Sequence, residues 1–312
     1  METMKKIQIL TLLILISIGC RSQSIINAPE KTDNITGQTK ILLKQGNKAY
    51  STALDSLGII IGSLETIDEG NGDGIIIKGR DALNYGNVGL RAVDLSYNNS
   101  ASSTAGATGD YSFAGGNYAR AQGDYSFAFG DGSRAPNNYS VAIGDGALAD
   151  ADFAFALGEN NWARGNYSVA LGYRNVALGE ASFALGYDSD ATGNYSFTSG
   201  LQNQAIGSSS FAGGTYSIAT GDDSFAFGLG AITSQNHSVS IGQEAEAYGI
   251  GSSSFGAFAH STGDYSTAFS NSESIGKYSF SIGFSTRAES YSEISTGTFN
   301  TLYTPNSTSA FD

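Results

Sequence analysis

Residues 166–179 read Asn-Tyr-Ser-Val-Ala-Leu-Gly-Tyr-Arg-Asn-Val-Ala-Leu-Gly, and this pattern returns every 14 residues along the chain. Aligned on Ser168, the copies follow one another without an insertion, and a glycine always lies four residues later. Such a fixed period is the signature of a repeat architecture. The serine column comprises Ser112, Ser126, Ser140, Ala154, Ser168, Ser182, Ser196, Ser210, Ser224 and Ser238, and the glycine column runs from Gly116 to Gly242.

Each copy predicts two short strands. Because side chains alternate between the faces of a strand, the small residues of Ser168–Gly172 share one face and Val169 and Leu171 share the other. A second alanine column, represented here by Ala177, marks the second strand. Glycine tolerates positive φ and Asp or Asn binds its own backbone in turns, so the Gly-Asp/Asn-Tyr-Ser segments read as corners. Stacked coils of this kind predict an all-β, parallel β-roll solenoid.

The alternation also predicts which face is buried. We expect the bulky Phe, Val and Leu side chains of the first strand to fill the interior, opposite the second-strand alanines. The Ser/Ala/Gly face of the first strand is then free for close contact between chains, which favours an oligomer.

Most copies place an aromatic residue directly before the serine. These rings are expected to stack along one edge of the roll. Two interpretations stay open: a ladder that stiffens the roll, or an exposed stripe that binds a host protein or glycan. The candidate binding stripe is Tyr111, Tyr125, Tyr139, Tyr167, Tyr195, Tyr265 and Tyr278, with Tyr291 as a further column member.

Both ends of the repeat look irregular. After Ser238 the serine column is placed at Ser254, Ser266, Ser279 and Ser292, in unequal steps, and the glycine column at Phe258, Ser270, Gly283 and Thr296. This spacing predicts that the roll loses regularity there. Residues 25–92 follow no 14-residue period, and we expect them to form a small N-terminal β cap with strands at 39–44, 57–61 and 75–78.

The repeat units resemble those of a known family. Asn-Tyr-Ser-Val-Ala-Leu-Gly at 166–172, Asn-Tyr-Ser-Val-Ala-Ile-Gly at 138–144 and His-Ser-Val-Ser-Ile-Gly at 237–242 are similar to the head repeat of YadA-type trimeric autotransporter adhesins and related haemagglutinins. The resemblance covers residues 93–297. It implies a left-handed parallel β-roll, a homotrimer, and display on a cell surface or outer membrane. In that family binding is spread over the roll, so no discrete site carries over.

The first 24 residues read as a signal peptide. Lys5 and Lys6 precede an apolar run at 7–18 that is too short to span a membrane, so export to the cell surface or extracellular space is expected. Two processing routes stay open. Either residues 17–20 form a lipobox and its last residue, Cys20, carries a lipid, or cleavage after Ser24 removes Cys20 with the signal peptide. Cys20 is the only cysteine, so the chain forms no intramolecular disulfide.

Residues that could support catalysis or metal binding are scarce. The two histidines, His237 and His260, have no positional relation to a nucleophile. The loop at 68–74 alternates acids with glycines but lacks EF-hand spacing, and is expected to be a polar loop. Corner residues such as Asp110, Asp124 and Asp222 read as turn formers. The sequence therefore predicts no enzyme, no cofactor and no metal site.

The expected partners follow from charge and resemblance together. The net charge is −13 without a Lys/Arg cluster, so nucleic acid is not expected. The leading hypothesis is an adhesin-like head that binds itself as a homotrimer, and matrix proteins, host cells or neighbouring cells. The alternative is a structural spacer in a larger surface or phage-tail-like fibre. Residues 298–312 are expected to form an irregular tail toward a further module. That module or a lipid on Cys20 would provide the membrane attachment.

Overall fold

A computed structural model describes residues 41–45, 48–52, 63–300 and 307–308, which fall into two units that divide at Leu64. In the first unit, Ile41–Gln45 and Lys48–Thr52 form an antiparallel hairpin in which Ile41 pairs with Thr52 and Gln45 with Lys48. The signal segment, Cys20 and the strand expected at 57–61 lie outside the described residues.

The second unit is a parallel β-solenoid with one strand of each coil in each of two sheets. The wide sheet is built from strands of three to five residues. Its strands are Leu64–Asp68, Asp73–Ile77, Val93–Tyr97, Phe113–Asn117, Phe127–Phe129, Val141–Ile143, Phe155–Glu159, Val169–Tyr173, Phe183–Tyr187, Phe197–Leu201, Phe211–Thr215, Phe225–Leu229, Val239–Gln243, Ser253–Phe255, Thr267–Phe269, Phe280–Phe284 and Ile294–Thr298.

The narrow sheet has 14 strands of two residues each. One turn of 3₁₀ helix, Ala82–Asn84, is the only helix among the described residues. The narrow-sheet strands are Gly106–Ala107, Arg120–Ala121, Arg134–Ala135, Leu148–Ala149, Trp162–Ala163, Val176–Ala177, Asp190–Ala191, Gln204–Ala205, Ile218–Ala219, Ile232–Thr233, Glu246–Ala247, His260–Ser261, Glu273–Ser274 and Arg287–Ala288.

The register stacks each residue on its copy one coil away. Ala170 pairs with Ala156 on one side and with Ala184 on the other, and the narrow-sheet residue Ala177 pairs with Ala163. Backbone bonds follow the same step, as in the 2.9 Å bond from Val169 N to Ser182 O. The predicted all-β parallel solenoid is therefore confirmed.

The core between the sheets consists of small side chains. Ala170 and Ala184 of the wide sheet and Ala177 of the narrow sheet are fully buried, whereas Leu157 and Leu185 point outward and are 40% and 39% exposed. The expected facing was therefore wrong, because the small face is the interior and the bulky face is the surface of the single chain. A two-strand coil brings its two backbones so close that an alanine methyl fills the gap and a leucine cannot.

The wide-sheet strand ends where the chain takes a left-handed conformation. Gly172 has φ +118°, and a Cβ added there would lie 2.2 Å from the carbonyl oxygen of Gly186 in the next coil. Contacts that short do not occur in folded proteins, so both the dihedral angle and the close approach require glycine. The unbroken glycine column of the sequence therefore marks the corner where coils touch backbone to backbone.

The roll stays regular after Ser238, contrary to the expected loss of period. Val239 pairs with Ser253 and Ser253 with Thr267, both 14 residues apart, and one residue is missing before Phe280. The column positions assigned to Ser254 and Phe258 were wrong. Ser252 takes the serine position, because its carbonyl accepts from Val239 N, and the glycine position passes to Gly256. The run Ser252-Ser253-Ser254 hid this register, since its middle serine replaces a bulky outward residue.

The interior of the first coils contains a buried charge beside larger apolar side chains such as Ile76 and Val88. The strand expected at 75–78 is Asp73–Ile77, which pairs with Val93–Tyr97 in the wide sheet. Asp94 takes the position of the alanine column and is 1% exposed. Its carboxylate binds the buried Arg80 guanidinium and accepts from the Ser96 hydroxyl at 2.6 Å. A buried carboxylate is tolerated only with such partners.

Replacing Ala170 with Leu is expected to destabilise the solenoid itself. The added methyl groups enter a gap that is already filled from both sheets, and overpacking of this kind costs about 1–3 kcal/mol. Thermal unfolding of the full chain measures the effect. Ser199→Leu is the control, since Ser199 faces outward between Leu185 and Gly213 and has room for the same side chain. Equal stability of both variants with the parent chain would contradict the alanine core.

Candidate functional site

The aromatic column forms a stacked ladder at one corner of the roll. The ring centroids of Tyr111 and Tyr125 lie 4.9 Å apart, those of Tyr125 and Tyr139 lie 5.1 Å apart, and Phe153 and Tyr167 continue the stack at 4.7 and 4.9 Å. The planes of the first three pairs differ by 1–2°. The ladder is half-exposed, with Tyr125 at 51% and Tyr167 at 56%.

The remaining members of the candidate stripe stand apart from this ladder. Tyr195 is 61% exposed and has Ala181 and Ser209 at the matching positions of the adjacent coils. Tyr265 and Tyr278 form a separate stacked pair at 5.3 Å. Tyr291 is not in the column, because Ser292 holds the left-handed position and Tyr291 meets Tyr278 edge-on at 81°. The structure therefore brings together Tyr111, Tyr125, Tyr139 and Tyr167, and leaves the others in smaller groups.

Every ladder residue has a left-handed backbone. Tyr125 and Tyr139 have φ +58° and Tyr167 has φ +60°. This conformation costs a non-glycine residue about 1–2 kcal/mol. Stacking with both neighbours offsets part of that cost, since aromatic pairs contribute about 0.5–1.5 kcal/mol beyond the area they bury. The ladder is therefore a structural part of the corner as well as an exposed surface.

The corner carboxylates and amides form a second ladder beside the rings. The Asp124 side chain accepts from Asp110 N at 3.0 Å, and the Asn138 side chain accepts from Asp124 N at 2.9 Å. Asp222 accepts in the same way from Ser208 N at 2.8 Å. These side chains satisfy backbone donors of the preceding coil, which is the corner-forming role that the sequence indicates for Asp110, Asp124 and Asp222.

In the acidic loop at 68–74, a carboxylate also accepts hydrogen bonds from backbone N–H groups. Asp68 Oδ1 accepts from Gly70 N at 2.9 Å and from Gly72 N at 3.0 Å. These two bonds hold the pKa of the Asp68 carboxyl below its usual range, the Gly70 bond having the larger effect. Within residues 63–300, no three His, Cys, Asp or Glu side chains are grouped to hold a metal ion.

Each of the two histidines lies beside one carboxylate. His237 Nδ1 lies 3.7 Å from Asp223 Oδ2 in the left-handed corner column. His260 Nε2 lies 3.4 Å from Glu246 Oε2 on the outer face of the narrow sheet. Burial, followed by the Glu246 charge, raises the pKa of the nearby Tyr248 hydroxyl.

The outer face of the wide sheet is a surface that the sequence interpretation missed. Phe183, Phe197 and Phe211 stack along it at 5.2 and 5.3 Å, and a parallel row of exposed apolar residues runs beside them. The row includes Phe129, Leu157, Leu185, Phe227, Ile241 and Ile282, all at least 37% exposed. The alternation of side chains in the sequence does indicate this apolar face, but the sequence analysis placed it in the interior of the roll.

A comparison with family models identifies the repeat. The YadA head domain repeat matches residues 121–147, 149–175, 177–197, 205–224, 219–245 and 247–269. Residues 121–269 belong to the YadA head-repeat family. The family is one of adhesin-like surface proteins, and its repeats are structural units. A comparison with curated proteins gave no match for the chain.

The family matches agree with the structural coils. Most matches cover about two coils, and the model match from 247 to 269 spans Ser252 and Gly256, where the structure keeps the 14-residue step. None of the helices in the described part of the chain has the length and apolar character that crossing a membrane requires.

Tyr139→Ala is expected to be less stable than Tyr139→Gly by about 1 kcal/mol, because alanine keeps the left-handed penalty and glycine removes it. Both variants lose the stacked ring and should melt below the parent chain. Phe183 supplies the control, since it lies in a strand with an ordinary backbone, where glycine is expected to be worse than alanine. Thermal unfolding at fixed chain concentration measures all four variants. The same order at both positions would contradict the backbone argument.

Proposed function

We propose that the chain is an adhesin-like head, exported and displayed on the cell surface, that binds through an extended surface of a left-handed homotrimeric roll. The observation that carries this proposal is the apolar outer face of the wide sheet. It runs the length of the repeat and stays exposed in the single chain. Soluble monomers rarely expose apolar patches of more than a few hundred Å².

The geometry of that face fits a closed assembly. Its rows follow the coils and are interrupted at Ser199 and Gly213, so a second copy laid alongside meets apolar residues over most of the roll. Phe129, Leu157 and Leu185 would then be covered together, while the tyrosine ladder, which lies at a corner, keeps its outer edge. Cyclic association buries one such face per chain without leaving an open end. Membership in the YadA head-repeat family favours three copies.

The surfaces left outside the assembly suit macromolecular contact. The ladder at Tyr111, Tyr125, Tyr139 and Tyr167 offers rigid rings with hydroxyl groups, a combination enriched where proteins bind one another. We place the contacts to matrix proteins, host cells or neighbouring cells on this face. Attachment to the membrane would use a lipid on Cys20 or a further module.

The spacer hypothesis remains the second candidate. It is favoured by the same regularity, because identical coils hold other modules at a fixed distance without binding anything. The left-handed ladder residues support it as well, since their stacking has a structural role in the corner.

The trimer is tested by a matched pair of leucines. Leu185→Glu places a charge on the apolar outer face and is expected to give folded single chains. Leu178→Glu makes the same change at a residue of similar exposure, 43% against 39%, beside the narrow sheet, and should leave the trimer intact. Multi-angle light scattering measures the mass in units of the 32.4 kDa chain. A folded parent chain with the mass of one copy would contradict the proposal.

The binding surface is tested with tyrosine replacements that tolerate the left-handed backbone. Changing Tyr111, Tyr125, Tyr139 and Tyr167 to Asn should lower binding to immobilised matrix proteins or cells about tenfold or more, because the ring contacts are lost. The control replaces the stacked pair Tyr173 and Tyr187 with Thr at the end of the wide-sheet strands. A parent trimer that binds no matrix protein and no cell would favour the spacer.

A further inference from the structure

The aromatic ladder lacks a single ring in one coil. Phe153 lies between Tyr139 and Tyr167, with ring centroids at 4.7 and 4.9 Å, so each coil of this stretch supplies one ring. Ala181 holds the next position of the column, in the same left-handed conformation with φ +50°, and Tyr195 follows one coil later with φ +59°. Tyr167 and Tyr195 therefore stand on either side of a missing ring.

The gap at Ala181 has the dimensions of one planar group. Two coil steps separate Tyr167 from Tyr195, about 9.6 Å at the usual strand spacing. Tyr139 and Tyr167 enclose the Phe153 ring over the same two steps. Tyr167 and Tyr195 are 56% and 61% exposed against 46% for Phe153, as expected of rings that lack a neighbouring ring. The space of one ring is therefore open between the two tyrosines.

Cations cover ring faces of this column elsewhere in the chain. Arg91 has the left-handed backbone of the column, with φ +54°, and its guanidinium carbon lies 5.8 Å from the centre of the Tyr111 ring. The Lys277 ammonium lies 5.4 Å from the centre of the Tyr278 ring. Such distances allow attraction between a cation and a ring face. A guanidinium thus continues the ladder at Tyr111, whereas no cation within residues 63–300 lies over Tyr167.

The residue before the gap has a carboxylate without a partner. At this corner position the shorter Asp152 accepts a hydrogen bond from Asn138 N at 3.1 Å. Glu180, which directly precedes Ala181, is exposed, and its backbone N donates to Asn194 Oδ1 at 3.0 Å. Its carboxylate has no ion pair or hydrogen bond with any described residue. A negative charge is therefore available beside the missing ring.

The arginines nearest in sequence do not fill the gap. The Arg164 guanidinium lies over the Trp162 ring, 4.4 Å from its centre. Arg174 Nε lies 3.9 Å from Asp188 Oδ1. Because both side chains have partners of their own, the gap stays open in the single chain.

We infer that the gap between Tyr167 and Tyr195 binds an arginine side chain of a partner protein. A guanidinium is planar, so it takes the place of the missing ring with one tyrosine on each face. Its charge pairs with Glu180, and its fork of N–H donors matches a carboxylate. The inference rests on the proposed use of this corner as a binding surface, and it specifies the chemistry of the partner.

Saturation-transfer NMR of the full chain with the blocked tripeptide acetyl-Gly-Arg-Gly-amide tests the inference. At millimolar peptide the arginine side-chain protons are expected to receive saturation, and to shift upfield because they lie between two rings. The lysine peptide keeps the charge without the plane, and the citrulline peptide keeps the plane without the charge, so both should bind several-fold more weakly. Equal binding of either peptide, or no binding of the arginine peptide, would overturn the assignment.

The tyrosine tripeptide distinguishes a second kind of occupant. An aromatic ring also fits between two rings, but it gains nothing from the Glu180 charge. The arginine peptide is therefore expected to bind more tightly, and its binding should weaken with salt. Tighter binding of the tyrosine peptide would assign the gap to an aromatic side chain and overturn the choice of arginine.

A matched pair of tyrosine substitutions locates the site. Ala181→Tyr fills the gap and should abolish binding of the arginine peptide while raising the melting temperature, since the new ring stacks on both neighbours. Ser209→Tyr makes the same change at the column position beyond Tyr195, where φ is +56°, and should leave binding unchanged. Unchanged binding in Ala181→Tyr, or equal loss in both variants, would contradict the location.

Glu180→Gln tests the charge pair without changing the gap. It should weaken binding of the arginine peptide about twofold to fivefold and leave the citrulline peptide unaffected. Glu159→Gln removes an exposed carboxylate at the end of a wide-sheet strand and is the control. The same affinity in Glu180→Gln as in the parent chain would overturn the role of Glu180. These measurements need neither a trimer nor a matrix protein, so this inference and the proposed function fail separately.

Discussion

The gap between the two sheets is the constraint on which the rest of the structure depends. A 14-residue coil closes with only two strands, one of them two residues long, so opposite backbones lie close together. In the regular coils only alanine, serine and an occasional asparagine or threonine fit inside, as the fully buried Ala170 and Ala177 show. Phe, Val and Leu must then face outward, and the single chain is left with an apolar surface that water does not favour.

The same closeness explains the unusual backbone at the corners. The chain must reverse within two or three residues, and it does so with left-handed residues that recur in every coil. Glycine is required at Gly172 because backbone meets backbone. At the tyrosine position the chain uses non-glycine residues, and stacking between coils stabilises them. The cost of the left-handed backbone, which recurs in each coil, is thus offset in part by ring stacking between coils. This favours a ladder that is continuous over several coils.

The solenoid departs from its regular repeat at two places, in the first coils and at the residue missing before Phe280. Asp94 replaces an interior alanine, and Arg80 and Ser96 compensate its buried carboxylate beside apolar core residues such as Val88. The residue missing before Phe280 falls at the corner of Ser270 and Asn271, and the strands on either side keep their register. A missing residue in a strand would reverse every later side chain. At a corner it leaves the core unchanged.

The sequence by itself determined the period, the strand and corner positions and the fold class, because identical columns at a fixed spacing admit one stacking register. It also indicated the stacked tyrosines and the corner role of Asp124. Only the tertiary structure decided which face is interior, since alternation reveals two faces without showing how wide the gap between the sheets is. Strand pairing also showed that the 14-residue step continues after Ser238 onto Ser252, which the sequence contains but the sequence interpretation had shifted to Ser254.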